Sequence, residues 1–405
     1  MVYENRIIAQ ILYTMDLSMT TMNKQSTSCG FSKLQNNGTC FIIPLKYFED
    51  KIKEGKTAKE REKALSDLKL SQFVRGKRVA TARHPLLNAS PLQEERRMIY
   101  DMQEDNNEND LPGNLVRAEG AANTGDNDVD NVYTGVGNVY NFYKQNFNRN
   151  SIDNNGMTLV NSVHFADPDT GQGWDNAMWD GTQMVYGDGD DQSMHAHMLT
   201  GLQDVTAHEL THGVTQNTSG LPNQGQSGGV NEHISDCFGI MCLQWVNNQT
   251  IDQADWLIGK GLMIRDDGTS GALRSMKDPG NASQTYPGDG SIKNISDYFD
   301  GIDVHFSCGI GNYAFYLACK GVGGSGHSWD KMGKVWYITN TTRLNQQSVF
   351  QDVANNTFDV AGSLFGQGGN EQNAVRDAWH QVGLEATTPP ATLTVNHPLN
   401  PPKRK

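Results

Sequence analysis

Cysteine is scarce: six residues (Cys29, Cys40, Cys237, Cys242, Cys308, Cys319) in a chain of 405. That is too few for a disulfide scaffold. None stands in a Cys-x-x-Cys pair, so neither a zinc knuckle nor a thioredoxin-like motif has support. Four fall in apolar helical patterns, where a free buried thiol is the default. Long apolar runs are missing as well, and none approaches the ~18 residues of a membrane span, so no membrane partner is expected. The N-terminus lacks the layout of a secretory signal, because Gln10 interrupts its best apolar stretch and Glu4 and Asp16 flank it. The cytoplasm or export by a non-classical route is therefore expected. An excess of positive charge is also absent. With 33 Lys and Arg against 46 Asp and Glu, the net charge is −13, which argues against nucleic acid as a partner.

What is present suffices for a large core. Hydrophobic residues make up 37%, with 7 Trp, 13 Tyr and 14 Phe, and the length suggests roughly two to three domains. Charge is unevenly shared. Residues 1–100 hold 17 Lys and Arg against 10 Asp and Glu, a net of +7, whereas residues 101–405 hold 16 against 36, a net of −20. A basic head thus precedes an acidic body. Residues 1–30 read as disordered. Cys40–Ile52 reads as an apolar segment turning into a short amphipathic helix, and Lys56–Lys69 as a charged helix. Residues 104–131, rich in Asn, Asp and Gly, read as loops. A helix is expected at Val132–Phe147 and strands at Leu159–His164 and Gln183–Tyr186. Further helices are expected at about 202–215, 230–246, 306–320, 330–341, 348–362 and 371–382. The tail from Ala386 is Pro-rich and extended.

One cluster carries chemistry. Asp204-Val-Thr-Ala-His208-Glu209-Leu-Thr-His212 contains His-Glu-x-x-His, whose histidines share one helix face, so two imidazoles can grip one cation. With 11 His and 14 Glu available, the motif arises by chance in about 1% of such chains. Neutral imidazole suits Zn²⁺, and Glu209, beside the first ligand, can reach a water on the metal. Twenty residues on, Glu232 and Asp236 form another i, i+4 pair on an apolar helix. Buried carboxylates need a reason. A cation explains Glu232, and a ligand imidazole N–H explains Asp236. The alternative, salt bridges to Lys or Arg, looks weak because few basic residues lie nearby in sequence.

These residues resemble the thermolysin family of zinc metallopeptidases. So do Asn176-Ala177-Met-Trp-Asp180, Ala272-Leu-Arg274-Ser-Met276, Asp300 through His305, and Ala374 through Gly383. Phrases such as Asn231-Glu-His-Ile-Ser-Asp236 are similar to its protealysin subgroup. The resemblance covers roughly residues 92–384, with an echo at Cys40–Ile52. It implies an α+β fold, a two-lobed thermolysin-like zincin with a mixed α/β N-terminal lobe, a helical C-terminal lobe and the cleft between them. The implied division is a tail and pro-segment at 1–91, lobes at 92–215 and 216–385, and a basic Pro-rich tail at 386–405. The implied activity is endopeptidase cleavage of proteins or peptides. Zn²⁺ would be held by His208, His212 and Glu232, with Glu209 as general base and His305 as donor to the oxyanion. Asp236 and Asp300 would hold imidazoles. Asn176, Ala177 and Arg274 would bind the substrate backbone. Val205, Ile258, Leu262 and Leu273 would line an apolar pocket after the scissile bond, so cleavage before hydrophobic residues is expected. The basic head would be a pro-segment that covers the cleft as an intramolecular inhibitor and is removed between about residues 53 and 92.

Three departures from the family pattern matter. Asn223 stands where the family usually has an oxyanion-binding Tyr, and losing such a donor costs roughly 10²–10³ in rate. A peptide-binding or weakly active relative is therefore the alternative reading. An exopeptidase would need a terminal-amine carboxylate cluster that the sequence does not offer. Leu243, Leu257 and Lys260 occupy positions where a paired calcium site needs anionic oxygens. That site is expected to be absent, with Ca²⁺ elsewhere left open. Phe306-Ser-Cys308-Gly309 also differs from the usual segment after the histidine.

Overall fold

The computed structural model describes residues 40–81, 94–105, 107, 109–167 and 172–388. The expectations for residues 1–30, and for the tail beyond 388, lie outside the described residues. The apolar segment forms a two-residue strand, β1 (Cys40–Phe41), and after Pro44 a helix, α1 (Leu45–Glu54). Phe41, Ile42, Ile43 and Phe48 are buried, which is why this otherwise basic region folds onto the body. The next helix, α2 (Ala58–Thr81), runs beyond the expected end at Lys69. It buries Ala64, Leu68 and Ser71.

The strands that follow are β2 (Arg97–Asp105), β3 (Asn114–Ala118), β4 (Leu159–Asp167), β5 (Gln172–Gly173), β6 (Ala177–Trp179) and β7 (Met184–Gly187). Together with β1 they form one sheet in the order β1-β6-β7-β4-β2-β3, with β5 added on β4. The neighbours β2, β4 and β7 run parallel; β1 runs antiparallel to β6, with Phe41 opposite Met178. The loop reading of 104–131 needs correction, because β3 lies within it. Five residues are too few for alternation to show, and pairing with β2 makes them a strand. Helix α3 (Asn127–Phe147) also starts earlier than expected. Asp126 caps it by accepting the Asp128 and Val129 N–H groups, and Val132, Val136 and Val139 turn inward.

The remainder is mostly helical: α4 (Gln203–Gln216), α5 (Gly225–Val246), α6 (Val304–Ser307), α7 (Gly309–Gly321), α8 (Met332–Thr342), α9 (Phe350–Phe365) and α10 (Asn370–Gln381). The single helix expected at 306–320 is two, divided at Cys308. Between α5 and α6 lie two small ribbons, β8 (Leu257–Ile258) with β11 (Arg274–Ser275), and β9 (Met263–Ile264) with β10 (Ser270–Gly271). Trp336 and Trp379 stack at 6.4 Å in the helical core. No helix among the described residues is long and apolar enough to cross a membrane.

The contact that positions the site is between α4 and α5. Residues Asp204–Thr215 of α4 are all buried, as is nearly every residue of α5 from Gly228 to Cys242. Gly239 makes the close approach possible. A β-carbon there would sit 2.8 Å from the Asp204 carbonyl oxygen and 3.4 Å from the β-carbon of His208. Any side chain would push the helices apart, and with them the two ends of the histidine–carboxylate cluster.

Candidate metal centre and cleft

His208 and His212 project from one face of α4, and Glu232 meets them from α5. The two Nε2 atoms lie 3.1 Å apart, and the Glu232 oxygens lie 3.3 Å from His208 Nε2 and 3.6 Å from His212 Nε2. All three side chains are buried. The tautomers follow from the outer nitrogens. His208 Nδ1 donates to Asp236 Oδ1 at 2.8 Å, and His212 Nδ1 donates to Asn231 Oδ1 at 3.1 Å. Both Nε2 lone pairs therefore point at each other and at a carboxylate. Burial pushes His208 down to about 4, against the pull of Asp236, so its ring is neutral at pH 7. Burial also pushes the Glu232 carboxyl up to about 7, with His305 and Arg274 opposing. Two imidazoles and one carboxylate, buried and convergent, are a donor set that fits Zn²⁺.

Asp236 does more than hold His208. It accepts from Arg274 Nε at 2.8 Å, from Arg274 Nη2 at 2.7 Å and from Asn312 Nδ2 at 2.8 Å. Burial alone would raise its carboxyl, but the Arg274 guanidinium and His208 hold it far below the usual range. A salt bridge to this carboxylate, which the sequence made look weak, is therefore present. Arg274 is 38 residues away along the chain, and only the β8–β11 ribbon brings it close.

Glu209 is buried beside His208, and its Oε2 accepts the Trp179 N–H of β6 at 2.8 Å. His305 enters from α6. Its Nδ1 donates to Asp303 Oδ1 at 2.7 Å, and its Nε2 donates to the Phe41 carbonyl oxygen at 2.7 Å. Both ring nitrogens thus carry protons. Burial disfavours that cation, but Glu232 and Asp303 outweigh it and raise the pKa. The expectation for Asp300 is corrected here. Asp300 is exposed, and Asp303 holds the imidazole. Asp303 also caps α6 by accepting the His305 N–H at 3.0 Å, so one carboxylate fixes both the backbone and the ring.

Residues 41–43 lie along β6. The Ile42 N–H donates to the Ala177 carbonyl at 3.2 Å. The Ile43 N–H donates to Asn176 Oδ1 at 3.0 Å, and Asn176 Nδ2 donates to the Ile43 carbonyl at 3.4 Å. Arg274 Nη1 donates to the Ile42 carbonyl at 3.3 Å. Asn176, Ala177, Arg274 and His305 thus meet on one strand of the chain's own head. Val205, Ile258, Leu262 and Leu273 are all fully buried, and Ile258 pairs with Arg274 across β8 and β11. Asn223 packs by its backbone under Gly228, beside Val304, the neighbour of His305. Sequence reasoning missed Asn231, Ser235, Asp303 and Asn312. Asn231 and Ser235 stand one residue before Glu232 and Asp236 respectively, which is the only signal they gave; Ser235 Oγ lies 3.0 Å from His212 Nδ1.

Comparison with known proteins agrees in order and extent. Residues 85–216 match the model for the thermolysin metallopeptidase catalytic domain, and residues 219–384 match that for its alpha-helical domain. An extracellular metalloprotease of Pectobacterium carotovorum subsp. carotovorum is 40% identical over 303 residues, covering 73% of this chain and 83% of that protein. Protease PrtS of a Photorhabdus species (strain Az29) is 36% identical over 366 residues, covering 87% and 94%. The solved precursor of protealysin, a metalloproteinase from Serratia proteamaculans, superposes with a TM-score of 0.72 at 36% identity. That match covers 85% of this chain and 99% of the precursor.

Proposed function

The chain belongs to the thermolysin metallopeptidase family and is a zinc metalloendopeptidase; from that premise we propose how its own residues divide the work and how it is kept latent. His208, His212 and Glu232 hold the metal, and Asp236 and Asn231 fix the two rings. Zinc, when bound there, supplies polarisation of the scissile carbonyl and acidification of the attacking water. Glu209 takes the water's proton and delivers it to the leaving nitrogen, with its carboxylate anchored by the Trp179 N–H. His305, held by Asp303, donates to the developing oxyanion. Asn176, Ala177 and Arg274 bind the substrate backbone as an added strand. Val205, Ile258, Leu262 and Leu273 make the pocket after the scissile bond apolar, which favours cleavage before hydrophobic residues.

Residues 1–91 act as a pro-segment that blocks the cleft until it is removed between about residues 53 and 92. The observation that carries this reading is segment 41–43, bonded to the same four residues assigned to substrate. The precursor state of the Serratia neighbour supports it. The division into lobes at 92–215 and 216–385 draws support from the two family matches, which meet at 216 and 219. Paired calcium is absent on this reading. Asp204 Oδ2 accepts the Gly259 N–H at 2.6 Å, and the Lys260 ammonium bonds Asp255 at 2.6 Å, a cation already in place. Asn223 favours a second reading, a weakly active or peptide-binding relative. Casein hydrolysis by the zinc-loaded protein, abolished by o-phenanthroline and by Glu209→Ala, would support the first. Inertness equal to that of Glu209→Ala after removal of the head would support the second.

A further inference from the structure

His233 is fully buried, follows Glu232 on α5, and has no part in the chemistry assigned above. It turns to the helical core. Its ring stands at 77° to the Trp336 indole of α8 and at 81° to the Trp379 indole of α10. A β-carbon on Gly311 would lie 2.4 Å from the His233 Cγ, so the backbone of α7 leaves the ring no room to turn. Trp336 Nε1 donates to His233 Nε2 at 2.8 Å, and His233 Nδ1 lies 3.1 Å from Asn312 Oδ1. Asn312 Nδ2 in turn donates to Asp236 Oδ2 at 2.8 Å. The direction of this chain is fixed at both ends. An indole N–H only donates, so His233 Nε2 is bare and the ring proton sits on Nδ1. Cys237 Sγ, 3.4 Å from Nδ1, shares that proton only as a weak acceptor. Asn312 must therefore turn its carbonyl to His233 and its NH₂ to Asp236. The reverse orientation would set an amide oxygen against a carboxylate. At the far end Asp236 only accepts, from Asn312, from Arg274 and from His208 Nδ1.

We infer that His233 is a positioning residue for the metal centre: with its proton held on Nδ1 by Trp336, it sets the amide of Asn312, and through that amide the Asp236 carboxylate that orients His208. This rests on the reading above only in taking His208, His212 and Glu232 to hold zinc. The helical core thus reaches a metal ligand through a chain of hydrogen bonds that has one polarity. Replacing the carboxylate partner of a ligand imidazole costs roughly 10–100-fold in metal affinity. His233 acts two bonds further out, so its loss should cost about tenfold, at the low end of that range.

The test uses the full-length chain, stripped of metal, and reads zinc affinity by competition with a chromophoric chelator. His233→Leu should bind zinc about tenfold more weakly than wild type. His233→Asn should recover most of that loss, because its NH₂ overlies the position of Nδ1 and still donates to Asn312. A role in packing alone predicts the opposite order, since leucine fills a buried apolar site better than asparagine does. The unfolding midpoint of each metal-free variant checks that the fold survives. Nitrogen-15 spectra of the wild-type chain should show His233 as the Nδ1–H tautomer with and without zinc. That measurement needs no variant, so it decides the matter if His233→Leu fails to fold. Equal zinc affinity in wild type and His233→Leu, weaker binding by His233→Asn than by His233→Leu, or an Nε2–H tautomer would each overturn the inference. Casein hydrolysis is a separate arm. A wild-type chain that binds zinc with the expected order of affinities and cuts nothing after removal of its head would overturn the peptidase reading and leave this one standing.

Discussion

Among the described residues, the histidines and carboxylates between α4 and α5 and those around Asp126, Asp128 and Asp188 are built on opposite principles. In the proposed metal centre, His208 and His212 bond outward from Nδ1 and turn their Nε2 atoms toward each other and toward Glu232. In the second cluster, at the N-terminal cap of α3, His164 is bonded at both nitrogens. Nδ1 donates to Asp188 at 3.0 Å and Nε2 donates to Asp126 at 3.1 Å. Nearby, His197 Nδ1 lies 2.8 Å from Asp128 Oδ2. The Asp188 bond, with Asp126 assisting and burial opposing, lifts His164 to about 10, so it is a cation at neutral pH. His208 is neutral in the first cluster, whereas His164 brings its own positive charge to the second. Proximity of ligand-type residues is therefore a poor guide to metal binding, and the direction of the lone pairs is a better one.

This contrast can be broken at several points. His212→Ala should remove zinc binding and cut peptide hydrolysis by about 10³-fold or more, whereas His164→Ala should leave turnover unchanged, as read by initial rates on a peptide substrate. Within the active cluster, His305→Ala should lose about 10²–10³ in kcat. Asp303→Ala should lose part of that through a misplaced ring, and Asp300→Ala almost nothing. Equal losses for the two aspartates would remove Asp303 from its role.

For the second cluster, His164→Gln should cost about 1–3 kcal/mol of stability in urea unfolding, because it leaves carboxylates without their partner. The pH dependence has a definite sign. The folded value of His164 lies above 6.5, so its contribution is complete below about 6.5 and fades as pH rises through about 10. A stability curve for His164→Gln parallel to wild type over that window would contradict the assignment. Asn223→Tyr should raise kcat by about tenfold if the missing oxyanion donor limits the rate.

The smallest effect concerns the contact of α2 with the body. Asp175 and Asp67 share the buried ammonium of Lys63, and both feel the negative charge of Asp190 in the loop after β7. Burial raises both carboxyls, Asp67 to about 6 and Asp175 well above its ordinary value. Raised acids support the docked state of α1–α2 below about 3.8 and lose that support as pH rises through the folded values. Release of α1–α2 should therefore be severalfold faster at pH 8 than at pH 5, and Asp175→Asn should flatten that dependence.

The legible part of the site was the part with a helical period. His208 with His212, and Glu232 with Asp236, stand four apart, so their sharing of a face needs no tertiary knowledge. The helices around them were legible for the same reason, whereas β3 was not, because five residues carry no period. Asp300 and Asp303 illustrate the limit. Both precede His305 by less than two turns, and only the path of the loop, which puts Asp303 at the cap of α6, selects between them. Asn231 with His212 and Asn312 with Asp236 were hidden because they depend on which faces of packed helices meet. A pro-segment was expected only through the resemblance to the protealysin subgroup, since an apolar patch in a basic head does not by itself imply one. The register of Cys40–Phe41 on β6 was not legible, since a one-residue slip would turn every side chain to the other face.

Metal content measured on three purified chains tests the central claim most directly. Wild type and His164→Ala should each carry one zinc per chain by elemental analysis, and His212→Ala should carry none. Zinc retained in His212→Ala but lost in His164→Ala would put the metal in the other cluster and contradict the account.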